Sequence, residues 1–235
     1  MSRVLHIAIL LTIWTSYAFG QESDDIEFEY VIDDYNEPPV PSINYLTETA
    51  VGLRKGEVYY QNILLFGQKF GFGLTDHFSI NAGFEFLSVI NGGTPVLLFA
   101  PKYTFNERHE EIKFGVGSNL LLIPETGFGN LAGSLYGLVT FGNLDNNLTA
   151  GLGVGYDNSG VSSNPVIQLS GQVRLTKVLA LVLDSLTVQY DDNYYPFTSL
   201  FIRFMTSSLV FDVGGAASIT DGGAIPLANL AISLN

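Results

Sequence analysis

From about residue 43 onward, large apolar side chains alternate with small or polar ones in short runs. That is the period of two that places successive side chains on opposite faces of a strand. In the run 78–90, Phe78, Ile80, Ala82, Phe84 and Phe86 oppose Ser79, Asn81, Gly83 and Glu85. In 112–124, Ile112, Phe114, Val116 and Leu120 oppose Lys113, Gly115, Gly117 and Asn119. In 148–157, Leu148, Ala150, Leu152, Val154 and Tyr156 oppose Thr149, Gly151, Gly153 and Gly155. The pattern predicts 12 strands, near 43–51, 58–74, 78–90, 96–105, 112–124, 131–142, 148–157, 166–176, 178–190, 198–207, 209–219 and 226–234. An even count suits a closed antiparallel barrel.

Three runs fit less well. Residues 43–51 alternate poorly, and 131–142 is ambiguous because Gly133 and Gly137 fall on its apolar face. In 178–190, Leu179, Leu181 and Leu183 share one face while Leu186, Val188 and Tyr190 share the other, which predicts a bulge near Asp184-Ser185.

Every second connection is rich in Gly, Pro or Asn: 52–57, 91–95, 125–130, 158–165, 191–196 and 220–225. Those between them, 75–77, 106–111, 142–147, 176–177 and 207–208, are mostly tight. Bacterial outer-membrane barrels have short periplasmic turns and longer outer loops, so the alternation predicts that arrangement. The polar face carries Gly, Ser, Asn and Gln with single scattered charges, which suits a confined lumen better than a solvated surface. The fold class expected is therefore all-β: a closed, up-and-down transmembrane barrel over residues 43–235.

Composition strengthens this reading. Only 14% of the 235 residues are charged, against about 25% in a typical soluble domain. The absence of cysteine excludes disulfides, thiolate metal sites and a lipidated Cys. With 23 acidic residues against 10 Lys and Arg, nucleic acid is not an expected partner, because phosphate binding needs clustered cations.

Residues 1–20 resemble a signal peptide: Arg3, an apolar run from Val4 to Trp14, then Ala18-Phe19-Gly20 with small residues suited to cleavage before Gln21. The run is shorter than the roughly 20 residues a spanning helix needs. Residues 21–42 form an acidic leader, with eight carboxylates between Glu22 and Glu37 and then Pro38, Pro39 and Pro41. Charge repulsion and proline predict an extended, disordered segment.

The strand phase directs eight charged residues into the lumen: Lys69, Glu85, Lys102, Lys113, Arg174, Asp184, Arg203 and Asp212. A two-residue turn at Ser207-Ser208 sets Arg203 opposite Asp212. Pairing Leu74 with Phe78 sets Lys69 opposite Gly83 and diagonal to Glu85. Buried charges need partners, so structural ion pairs are the preferred reading. The competing reading is a weakly anion-preferring passage for small solutes, since five cations face three anions.

No catalytic constellation emerges. His77 and His109 both fall in predicted periplasmic turns, and no Gly-x-Ser-x-Gly or His-Glu-x-x-His motif occurs. Asp191-Asp192-Asn193 and Asp157-Asn158 read as turns rather than cation sites. No catalytic, cofactor or metal residue is assigned, and the protein is expected not to be an enzyme.

Lys55-Gly56-Glu57-Val58-Tyr59-Tyr60-Gln61-Asn62 and Gly73-Leu74-Thr75-Asp76-His77-Phe78-Ser79-Ile80, with Asn146 to Gly153, resemble uncharacterised outer-membrane β-barrel proteins of Bacteroidota. The resemblance implies a barrel in the outer membrane and brings no substrate or active residue. It also implies the outer-membrane assembly machinery as a partner, although the chain ends Ala231-Ile232-Ser233-Leu234-Asn235 rather than on an aromatic residue. The expected role is a narrow channel or structural envelope component, with an adhesin or receptor acting through its loops as the alternative and a lipid-active enzyme less favoured.

Overall fold

The computed structural model describes residues 37–41, 44–64, 67–123, 130–190, 193–218 and 223–234. The signal segment, almost all of the acidic leader, and Asp191-Asp192 lie outside the described residues.

Twelve antiparallel strands form one closed barrel in which every strand pairs with its neighbours in sequence. They are β1 (Val58–Ile63), β2 (Gly67–Gly73), β3 (Phe78–Glu85), β4 (Val96–Thr104), β5 (Ile112–Ile123), β6 (Asn130–Gly142), β7 (Asn147–Asp157), β8 (Gly160–Arg174), β9 (Leu179–Tyr190), β10 (Asn193–Met205), β11 (Leu209–Ser218) and β12 (Ala224–Ser233). Closure comes from β1 against β12, running from Tyr59 opposite Ser233 to Ile63 opposite Asn229. A single helical turn, α1 (Leu87–Ile90), lies between β3 and β4. Among the described residues no helix is long and apolar enough to cross a membrane. We call the end where β1 begins and β12 finishes proximal, and the other distal.

The two faces of the wall are inverted relative to a water-soluble domain. In β10, Ser199, Phe201, Arg203 and Met205 are buried while Leu200, Ile202 and Phe204 are exposed. In β5, Lys113, Gly115 and Gly117 are buried while Ile112, Phe114 and Val116 are exposed. Inward glycine makes room for inward tyrosine. A Cβ on Gly71 would lie 2.0 Å from the Tyr59 ring, and one on Gly117 would lie 2.7 Å from that of Tyr136.

The count of 12 stands, but the strands are partitioned differently from the sequence reading. Residues 43–51 are not a strand, and 58–74 is a hairpin, β1 and β2, turning just after Ile63, where Leu64 adopts φ 52°. The expected loop at 52–57 lies at the proximal end instead, where the Lys55 amide bonds Asp76 and the Gly56 amide bonds the Gly73 carbonyl. Nor do connection lengths separate the two ends. The segment 158–165 shrinks to a turn because β8 begins at Gly160, and the distal 64–66 is as short as the proximal 206–208.

The predicted bulge at Asp184-Ser185 is absent. Residues of β9 pair without a break from Leu179 opposite Phe204 to Tyr190 opposite Asn193, so Leu186 and Val188 point inward. The register shift occurs between β7 and β8 at Val154 and Tyr156. The ambiguous β6 resolves with Tyr136, Leu138 and Thr140 buried inside. Gly133 and Gly137 therefore face outward, where the Tyr156 ring lies over Gly133.

Candidate functional site

Residues 38–41 and 44–53 run inside the barrel. From the proximal end, Val40 packs with Leu53, Tyr59, Ala180, Met205, Val210 and Ala231. Tyr45, at the innermost point, meets Phe201 with ring centroids 5.5 Å apart, beside Val182 and Leu227. The chain then returns to β1 through Ala50, which packs with Tyr136 and Leu138. Pro38, Pro39 and Pro41 have no amide hydrogen to donate, so this entry segment makes few demands on the ladder of the wall.

Polar groups on the wall hold the segment along its length. Asp184 accepts from the Thr47 hydroxyl at 2.6 Å, from the Thr47 amide at 3.3 Å and from the Leu46 amide. Asn44 donates to Ser170 at 2.8 Å. The Ala50 amide donates to Thr140 at 2.9 Å, and Thr140 is in turn joined to Thr149 at 2.7 Å. Glu48 supplies the strongest anchor: Lys102 donates to its carboxylate and to the Thr49 carbonyl, each at 3.0 Å. Asn81 bonds Glu48 at 3.3 Å and is itself bonded by the Tyr59 hydroxyl at 2.8 Å. Lys102 retains only 3% of its side-chain exposure. A charge so placed is tolerable only when paired and hydrogen-bonded.

Of the eight inward charges read from the sequence, Arg203 and Asp212 sit opposite each other and form a two-point pair at 2.8 and 2.9 Å. Arg203 also donates to Gln172 at 2.7 Å, and Asp212 accepts from Asn229 at 2.9 Å. Asn229 in turn accepts from Gln61 at 2.9 Å. The chain of polar groups thus spans five strands of the wall. Lys102 and Asp184 hold residues 44–49, as above. Lys113 is fully buried and donates to the carbonyls of Gly142, at 2.6 Å, and Glu110. Arg174 pairs with Asp145 at 2.6 Å near the proximal rim.

Lys69 and Glu85 do not meet. Lys69 stands opposite Gly83 in the register, but Glu85 instead accepts from the Ser88 hydroxyl, the Ser88 amide at 3.2 Å and the Val96 amide at 3.4 Å. The diagonal pair fails because α1 brings closer donors to the carboxylate.

Sequence reasoning missed Asn44, Thr47 and Glu48, having assigned them to the wall. One signal was available. Glu48 is the only charged residue between Glu37 and Arg54, in a run too poorly alternating for a strand. Glu48 and Asp145 also remove the apparent surplus of luminal cations, because each neutralises a cation that had no assigned partner.

At the proximal rim, Arg108 binds Glu57 at 2.9 Å, Glu37 at 3.3 Å and the Gly52 carbonyl at 3.1 Å. His109 lies 2.8 Å from Arg54, and His77 lies 3.0 Å from the Thr104 carbonyl. Both histidines belong to this rim. Among the described residues no cluster of His, Asp and Glu could hold a metal ion.

The distal half of the interior is open. One chamber of about 840 Å³ is lined by Leu46, Leu121, Val166, Leu186 and Val188, with Asn119, Ser134 and Gln168 among the polar groups. A second, of about 310 Å³, is lined by Tyr45, Leu46, Ile63, Lys69, Leu98 and Leu121. Leu46, Asn119 and Leu121 border both. Unlike the filled proximal half, this end presents aliphatic side chains to open space.

No protein-family model matches the chain, and no curated protein sequence is significantly similar to it.

Proposed function

We propose that the chain is a bacterial outer-membrane β-barrel closed across its proximal half by its own residues 38–41 and 44–53. Its role on this reading is non-enzymatic: a structural or ligand-receiving envelope protein with a chamber at the distal end, rather than a freely conducting channel. The observation that carries the proposal is the inversion of the wall. Lys102, Lys113, Asp184, Arg203 and Asp212 are buried inside, while Phe70, Phe72, Phe99, Phe114, Leu135, Leu152, Leu169, Leu183, Ile202 and Phe211 are exposed outside. Soluble proteins rarely expose contiguous apolar patches above a few hundred Å². A belt around a closed barrel is what a hydrocarbon environment stabilises, because closure leaves no backbone edge unpaired in lipid.

Closure of the proximal half is supported by the burial of its lining. Tyr59, Gln61, Thr140, Thr149 and Asp184 have 2% exposure or less, whereas a water-filled passage would leave such side chains wet. Among the described residues the histidines are His77 and His109, and both lie at the proximal rim, away from the chamber.

Fractionation of expressing cells tests the location. The protein is expected with outer membranes, and its unboiled form is expected to migrate differently on a gel from the boiled one. Recovery with soluble periplasmic contents, with mobility indifferent to boiling, would overturn the reading.

A further inference from the structure

We infer that the distal chambers bind a single-chain amphiphile with a carboxylate head, its head at Lys69 and its chain along Leu46, Leu121, Leu186 and Val188. The inference concerns the interior of the barrel and goes beyond its proposed location. Three observations combine. The first is the aliphatic lining itself. In the proximal half the inward apolar side chains, among them Tyr59, Tyr136, Phe201 and Met205, are buried, whereas in the distal half Leu98, Leu121, Val166, Leu186 and Val188 occupy inward positions and border the chambers. Leu121 is 36% exposed there. Aliphatic groups left uncovered inside a chamber lose the favourable burial that an apolar ligand would restore.

The second is the state of the charges. Three charged groups border the smaller chamber: Glu48, Lys69 and Glu85. Both carboxylates already have donors, Glu48 from Lys102 and Asn81, and Glu85 from Ser88 and Val96. Lys69 forms no hydrogen bond or ion pair with any described residue. The open bonding capacity at this site is therefore that of a cation, and its ammonium offers three donors. A carboxylate is the complementary group.

The third is size and continuity. A chamber of about 840 Å³ falls within the roughly 300–1,000 Å³ usual for small-molecule sites. Leu46 and Leu121 join it to the smaller one that holds Lys69. A chain can thus lie on the aliphatic wall while its head reaches the lysine.

The test uses the full-length barrel in phosphatidylcholine nanodiscs, with empty nanodiscs as background, titrated with dansyl-undecanoic acid and then competed with dodecanoic acid or dodecanol. Saturable binding above background is expected, with dodecanoic acid displacing the probe at concentrations about tenfold lower than dodecanol, the factor a charge-assisted bond of modest strength gives. Lys69→Gln is expected to erase that preference while retaining the gel shift of the folded barrel. No saturable component, or equal displacement by acid and alcohol in the unaltered protein, would overturn the inference. The acid–alcohol comparison needs no variant, so it holds even where Lys69→Gln fails to fold. An unchanged acid preference in a folded Lys69→Gln barrel would overturn the assignment to Lys69.

Discussion

Lys102 shows how much a single luminal residue carries. Its ammonium satisfies both the Glu48 carboxylate and the Thr49 carbonyl from a position with almost no exposure. Replacing it by Met keeps most of the volume but leaves the buried Glu48 carboxylate with Asn81 as its remaining hydrogen-bond donor. Breaking one side of a buried pair costs about 3–5 kcal/mol. Lys102→Met is therefore expected to lower unfolding stability by roughly that amount, with much of the loss recovered in Lys102→Met/Glu48→Leu. Denaturant midpoints of the three proteins check it, and a double variant no better than the single would count against the pair. Gly71 gives a steric counterpart. A methyl there would lie 2.0 Å from the Tyr59 ring, and that ring is fixed by its bond to Asn81. Gly71→Ala is expected to destabilise by about 1–3 kcal/mol, the usual cost of overpacking. Tyr59→Leu, by removing the ring, is expected to relieve most of it.

At the scale of elements, Asp184 accepts three bonds from residues 46 and 47 of the inner segment, beside the anchor that Lys102 gives Glu48. The chain has no cysteine, so a single introduced thiol reports position without interference. Ala50 has 0% exposure. Ala50→Cys is expected to resist a polar maleimide in the folded barrel and to react at least several-fold faster when Asp184→Ala is added; equal rates would show that Asp184 is not the latch. How far these elements can be read from sequence follows from what alternation encodes. Period-two patterning records which side of a wall a residue faces, so β3, β5 and β7 were legible, as was the register that sets Arg203 opposite Asp212. A segment inside a barrel touches wall on every side and has no such period, and Glu48 and Thr47 were therefore unreadable as anchors. The β1–β2 turn was hidden because large apolar residues continue through Leu64, Leu65 and Phe66. Leu186 and Val188 misled for another reason. In distal β9 Leu186 and Val188 face inward and Ser185 and Thr187 outward, the reverse of Leu181 and Leu183, so the change of pattern looked like a slip of register.

The width of the whole barrel explains why it contains an inner segment at all. About eight strands enclose an interior that side chains alone can fill, whereas 16–18 leave an aqueous channel. Twelve strands lie between these cases, and here the proximal interior is completed by residues 38–41 and 44–53 together with Tyr59, Tyr136 and Arg203. The segment enters and leaves at the proximal end, so it can be displaced without breaking the wall. Its polar attachments are concentrated at Asp184 and Glu48, while Tyr45 adds an apolar contact with Phe201. On the outer-membrane reading, the unaltered protein is expected to leave planar bilayers electrically silent. Asp184→Ala combined with Glu48→Gln removes both charged anchors but leaves the strands intact, and it is expected to produce intermittent unit conductance. The sign of selectivity also follows. Loss of two luminal carboxylates leaves Lys102 without its partner and Lys69 beside it near the opened path, and a cationic lining favours anions. In a salt gradient the reversal potential of the variant is expected to shift toward chloride. Sustained conductance by the unaltered barrel would show that the inner segment does not close it, and a cation-selective variant would place the conducting path away from these lysines.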